Sequence, residues 1–93
     1  MSQEITHDKD ASRYVITVDG AEAGFAAYET AGDALDFNHT EVYPEFQGQG
    51  LSKPLVKAAL DDVRVNGRTI IPSCSAVERF IAKNPEYQDV VQK

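Results

Sequence analysis

A chain of 93 residues, 42% apolar and 26% charged, carries enough hydrophobic side chains to fold and only one domain's worth of length. Its single cysteine excludes an internal disulfide and a cysteine-built metal cage, so no metal is expected, and a net charge of −6 argues against nucleic acid as a partner. No apolar run approaches the roughly 20 residues that span a bilayer, and the polar start Met1-Ser2-Gln3-Glu4 shows no secretory signal, so residues 1–93 read as one cytoplasmic domain with no membrane partner.

Arg13 to Val18 is rich in β-branched and aromatic residues and predicts a strand, with only a weak edge piece near Ile5 before it. Asp19-Gly20 is a hairpin signal, and Ala23 to Thr30 predicts the returning strand. Ala31-Gly32-Asp33 turns the chain into a third strand, Ala34 to Val42, whose plain alternation puts Leu35, Phe37, His39 and Glu41 on one face. Leu51, Leu55, Val56, Ala59, Leu60 and Val63 then recur at helical spacing. Pro54 dates that helix's start to about Gln49–Ser52, and Asn66-Gly67 stops it. Thr69-Ile70-Ile71 reads as a short buried strand. Ser75-Ala76-Val77-Glu78 fits a capping box, so a second helix is expected after Ser75, running to about Lys83. Asn84-Pro85 ends it and starts a last turn.

The expected order is β-β-β-α-β-α, an α+β fold. A strand–helix–strand connection within one sheet is right-handed and makes its two strands parallel. The third and fourth strands therefore end at the same edge, beside the first helix's N-terminus and Pro72-Ser73-Cys74. Ligands collect at that edge of such sheets. The loop Gln47-Gly48-Gln49-Gly50-Leu51-Ser52 lies there. Its glycines allow close approach, and the helix's first turn offers unpaired N–H groups and partial positive charge, a combination suited to phosphate. The same loop also fits a turn that merely admits a helix.

The pattern Gln-x-x-Gly-x-Ser at Gln47, Gly50 and Ser52, opening a helix after a strand, resembles the acyl-CoA signature of the GNAT superfamily of N-acetyltransferases. Ser52 stands where that signature has Gly or Ala. His39-Thr40-Glu41-Val42, Pro44 to Gly50, Pro72-x-Cys74 and Asn84-Pro85-Glu86-Tyr87 are similar to its shortest branch, so the likeness runs from about Tyr14 to Val91. The resemblance implies acetyl-CoA as co-substrate, an amine acceptor, and a coenzyme lying between the third and fourth strands where they splay. It implies a diphosphate on Gln47, Gly48, Gln49, Gly50, Leu51 and Ser52, and a pantetheine arm against Glu41 and Val42, with Lys53 and Lys57 near the 3′-phosphate. The superfamily's N-terminal helices, which shape acceptor pockets, are absent from this chain.

Acetyl transfer to an amine needs a base for the amine's proton and an acid for the leaving thiolate. His39 and Glu41, two residues apart on one strand, are candidates for the first role; a packed histidine and a solvated carboxylate would leave the same trace. Cys74, before the second helix, is a candidate thiolate, and a small buried packing residue is the other reading. Tyr87 reads as packing for the last turn, with a general-acid role, which the resemblance implies for a tyrosine in other members, as the other reading, and His7, in a polar stretch, reads as inert. Two functions follow: an N-acetyltransferase, or a non-catalytic acyl-CoA-binding or redox-sensing module built on Cys74.

Overall fold

The computed structural model describes residues 2–92. Strands β1 (Gln3–Asp8), β2 (Arg13–Val18), β3 (Ala21–Ala31), β4 (Ala34–Val42) and β5 (Thr69–Ile71) form one sheet in that order. The first four are antiparallel neighbours, and β5 runs parallel to β4. The expected edge piece near Ile5 is thus a full six-residue strand, which makes the predicted third and fourth strands β4 and β5. In β1 only Ile5 and His7 point inward, opposite Ile16 and Tyr14, so its apolar signal is a single residue.

The hairpin signal Asp19-Gly20 closes β2 to β3 with both residues left-handed (φ 51° and 87°), the geometry whose twist matches paired strands. Helix α1 (Ser52–Val65) buries Leu55, Val56, Ala59, Leu60 and Val63, the predicted stripe. Gly67 ends it at φ +69°, with its N–H on the Arg64 carbonyl and the Arg68 N–H on that of Val63, the paired bonds of a Schellman cap. Helix α2 (Ser75–Lys83) buries Val77, Phe80 and Ile81. Both helices pack on one face of the sheet around Phe37, Ile16, Leu55, Leu60 and Ile70. Each such side chain contributes roughly 1.5–3 kcal/mol by leaving water. Among the described residues no element covers the other face, and no helix is long and apolar enough to cross a membrane.

Two features of the sheet position the site. The β3–β4 register shifts between Ala27 and Tyr28: Tyr28 faces Phe37, and Ala27 faces His39, leaving Asn38 as an extra residue in β4. Such a bulge reverses the sidedness of everything beyond it. Leu35 and Phe37 point to the helices, but His39 and Glu41 point to the uncovered face, and Thr40 and Val42 take the inner one. The expectation that Leu35, Phe37, His39 and Glu41 share a face fails for this reason.

The second feature is the parting of β4 and β5. Their ladder holds only Ala34–Thr69, Leu35–Ile70 and Asp36–Ile71. Pro72 follows, with no N–H to continue the ladder. The chain turns away and returns once, where the Cys74 N–H donates to the Phe37 carbonyl (2.8 Å). From His39 to Val42 this edge of β4 has no strand beside it.

The opposite side of that stretch is crowded. A Cβ on Gly24 would press into the Glu41 carbonyl oxygen and lie 3.0 Å from Val42 Cα. Gly24→Ala must therefore displace β4 or β3 backbone, and about 1–3 kcal/mol of stability should be lost. Urea unfolding measures this directly; an unchanged midpoint would show that the two strands separate freely.

His7 is not inert. Its ring stacks on Tyr14 (4.1 Å), its Nε2 is hydrogen-bonded to the Tyr28 hydroxyl (2.5 Å), and its Nδ1 lies 3.5 Å from Asp62 Oδ2, which also accepts from the Tyr14 hydroxyl (2.7 Å). Burial lowers the His7 pKa below its ordinary 6.5, with Lys9 adding to the fall and Asp62 and Asp8 opposing it. Between the folded and unfolded values the unfolded chain binds the extra proton, so stability falls as pH drops through about 6.5 and is unaffected by His7 above about 7.5. His7→Gln should flatten that part of the profile in thermal melts from pH about 7.5 to about 5.5; an identical slope would exclude His7 as its source.

Candidate functional site

After β4 the chain makes one turn, Pro44–Phe46, and reaches Gln47 in extended conformation. The Gln47 side-chain amide donates to the Val42 carbonyl (3.0 Å), which ties the start of the loop to the end of β4. Gly48 and Gly50 then take φ +89° and +68°, values that L side chains strain to adopt. Leu51 follows in helical conformation with its side chain in the core, so it offers the site only its backbone. Helix α1 begins at Ser52, the last position of the expected range. No side chain caps this end and no acidic residue lies in its first turn. The amides of Ser52 and Lys53 are left without intrahelical partners, at the positive end of the helix dipole. A Cβ built on Gly48 or Gly50 meets nothing within 4 Å, so the space over the loop is open. Gln47, Gly48, Gln49, Gly50 and Ser52 are all exposed.

The uncapped helix end and the unpaired edge of β4 at Glu41 and Val42 lie at the same end of the sheet. On the inner side, between α1 and α2, runs a groove of about 390 Å³ lined by Ser52, Lys53, Val56, Arg79, Phe80 and Lys83. Lys57 is not part of it: its Nζ donates to Asp61 Oδ2 (2.9 Å), one turn further along α1. Arg79 and Lys83 are the cations that line it with Lys53. Their spacing of four residues on a helix is the signal that sequence reading passed over.

Cys74 is the N-cap of α2, and Ser75 is the first helical residue, one position earlier than the capping-box reading placed it. Burial pushes the thiol pKa up. The Thr40 side chain and the backbone amides of Ala76, Val77 and Thr40 outweigh that and hold it below the ordinary thiol value. Thr40 Oγ1 is buried with no conventional hydrogen-bond partner, beside that thiol. Thr40 was not singled out in the sequence, because only the bulge turns it inward.

His39 and Glu41 stand on the other side of the sheet. Their side chains are about half exposed, with His39 Nε2 3.4 Å from Glu41 Oε1. Phe25 lies beside His39 (centroids 5.6 Å), Tyr43 beside Phe25 (6.2 Å), and the Tyr43 hydroxyl donates to Glu22. The candidate residues therefore form two groups, Cys74 with Thr40 inside and His39 with Glu41 outside. A ligand can meet both only in the gap where β4 and β5 part. Tyr87 is buried, donates to Asp61 Oδ1 (2.7 Å) and lies under the Arg64 guanidinium, a packing role as expected.

Comparison with known proteins agrees with this architecture. The sequence profile of the GCN5-related N-acetyl-transferase family matches residues 13–90. The NATD1 proteins of Bos taurus and Gallus gallus are 30% and 29% identical over 83 and 84 residues, covering 87% and 88% of this chain and 74% and 76% of theirs. A GCN5-like protein of Staphylococcus aureus, solved by NMR, is 30% identical with a TM-score of 0.72, over 96% of this chain and 87% of its own. A GNAT-family protein of Desulfovibrio desulfuricans, 24% identical with a TM-score of 0.58, shares the fold over 77% of this chain and 52% of its own. This chain belongs to the GCN5-related N-acetyltransferase family.

Proposed function

We propose that residues 1–93 form one cytoplasmic acetyltransferase unit that binds acetyl-CoA where β4 and β5 part and transfers the acetyl group to an amine. The observation that carries this is the unpaired edge of β4 from His39 to Val42, opening beside the uncapped N-terminus of α1. The open edge at Glu41 and Val42 would pair with the amides of a pantetheine arm, which would take the Val42 carbonyl from the Gln47 side chain. The N–H groups from Gln47 to Ser52 would hold the diphosphate, each charge-assisted bond worth roughly 1.5–3 kcal/mol. Lys53, Arg79 and Lys83 would meet the 3′-phosphate in the groove between the helices. The amine nitrogen attacks the acetyl carbonyl, the carbon–sulfur bond breaks, and the amine's proton passes to Glu41 directly or through His39. Cys74, on the inner side, would protonate the departing thiolate.

A second reading, an acyl-CoA-binding or redox-sensing module, draws on one observation: the Cys74 thiol is held below its ordinary pKa at a helix N-terminus. In that reading Cys74 thiolate attacks oxidised CoA, forming a mixed disulfide and releasing one CoA thiolate.

Calorimetric titration with CoA and with 3′-dephospho-CoA, followed by an amine panel assayed for released thiol, tests the first reading. Arg79→Glu should weaken CoA by about tenfold or more and leave 3′-dephospho-CoA nearly unchanged. Equal loss for both ligands would remove the 3′-phosphate from this groove. No release of thiol with any amine, despite tight binding, would favour the second reading.

A further inference from the structure

The uncovered face of the sheet carries a charge pattern that the coenzyme does not use. Register fixes which side chains stand on it: Glu4 and Asp8 from β1, Glu22 and Glu29 from β3, Asp36 and Glu41 from β4. Arg13 is the only lysine or arginine in the five strands. It is already engaged, over the Phe25 ring and 3.4 Å from Glu22. The other described cations lie outside the strands, in α1, α2 and connecting segments. The charge that the strands carry on this face is thus six carboxylates against Arg13.

Two details show a face built against its own stability. Glu29 and Asp36 are directly opposed across β3 and β4, an arrangement of like charges that destabilises a strand pair. Asp36 Oδ1 is buried and has no hydrogen-bond partner. Neither Glu4 nor Glu29 makes an ion pair or side-chain hydrogen bond among the described residues. Between the carboxylates lie half-buried Phe25 and Ala27, an apolar strip that Arg13 already shares over the Phe25 ring and beside which the methylene stem of a second long cationic side chain can rest. His39 and Glu41 stand at one margin of this strip, beside the open edge of β4.

The shape selects the class of acceptor. Small-molecule sites enclose about 70–90% of their ligand, and the hollow on this face, about 530 Å³ beside Asp8, Lys9, Arg13, Val15 and Glu22, is open to solvent. From Glu4 on β1 to Glu29 and Asp36 the carboxylates lie up to three strand spacings of about 4.8 Å apart and about seven residues apart along the strands, a reach of about 27 Å. That is the length of about eight residues of extended chain.

Resting on the acetyltransferase reading above, we infer that the acceptor is a lysine-containing basic peptide segment that lies extended across this acidic face, presenting one lysine amine to the gap beside His39 and Glu41. The amine loses its proton there, to Glu41 directly or through His39, and flanking cations pair with Glu4, Glu29 and Asp36.

The test uses a fluorescent, N-terminally blocked lysine–glycine repeat peptide, the same peptide with norleucine for lysine, and spermidine. Anisotropy should show binding of the lysine peptide that weakens steeply with added salt, and none of the norleucine peptide. The double variant Glu4→Gln/Glu29→Gln should weaken peptide binding roughly fivefold and leave calorimetric affinity for acetyl-CoA unchanged. Wild-type protein should release thiol from acetyl-CoA with the lysine peptide. If acetyl-CoA binds but the lysine peptide does not, or the double variant binds it as wild type does, the assignment of this face is overturned. Acetylation of spermidine without the peptide would overturn the peptide class while leaving acetyl transfer standing. Failure of acetyl-CoA itself to bind would remove the acetyltransferase reading, and this acceptor with it.

Discussion

Gly50→Val should lose coenzyme affinity by about a hundredfold or more while remaining folded. The loop crosses Gly50 at φ +68° with open space where a Cβ would stand. No protein atom requires a glycine there on grounds of space. Two things follow from inserting a branched side chain. Backbone strain of roughly 1–2 kcal/mol appears, because L residues resist left-handed φ. The added methyls also fill the open space over the amides that are to meet the diphosphate, and losing two or three bonds of roughly 1.5–3 kcal/mol each accounts for the predicted fall. Strain alone must be separated from blockage. Gly67 provides the control, since it has φ +69°, equally open surroundings, and lies at the far end of α1. Gly67→Val should show a similar loss in melting temperature with wild-type affinity for acetyl-CoA. A folded Gly50→Val protein that binds as tightly as Gly67→Val would sink the loop assignment.

Much of this arrangement was written in local sequence signals, and the exceptions share a cause. Helix α1 was legible end to end because Pro54, the apolar period and Asn66-Gly67 each mark it independently. The parallel relation of β4 and β5 followed from handedness alone. What escaped was non-local. Strand β1 needs only Ile5 and His7 inside, because β2 supplies the apolar partners, so five polar residues in six hide it. The bulge at Asn38 leaves no trace in β4's own composition; it arises from pairing with β3, and it alone moves His39 and Glu41 away from Phe37. Arg79 and Lys83 become neighbours of Lys53 only when α2 docks on α1. Lys57 pairs with Asp61 within α1 itself, four residues on.

That sidedness sets the last expectation. In the proposed mechanism the base lies outside and the thiol inside, so the two groups would act on opposite ends of the breaking and forming bonds, and their loss should read differently. Glu41→Gln and His39→Ala should each lower kcat by about a hundredfold, the range of a lost general base, with little change in acetyl-CoA affinity. The double variant should cost little more than the worse single, because Glu41 and His39, 3.4 Å apart, serve one proton path. Cys74→Ser should cost about tenfold or less, since solvent can reach the half-buried thiolate end and supply the proton. Thiol chemistry provides an independent check on Cys74. Its alkylation should rise with pH at a midpoint below that of free cysteine, and Thr40→Val should move that midpoint up by removing the hydroxyl beside the sulfur. Equal losses in turnover and coenzyme affinity for the Glu41 and His39 variants, or no loss in either, would make that pair structural. If Cys74→Ser alone abolished transfer, with intact-protein mass spectrometry of the wild type showing a stable acetyl adduct, the acetyl group would travel through the cysteine. The sulfur of CoA would then leave before the amine arrives, and the base on the outer face would act on the second step only.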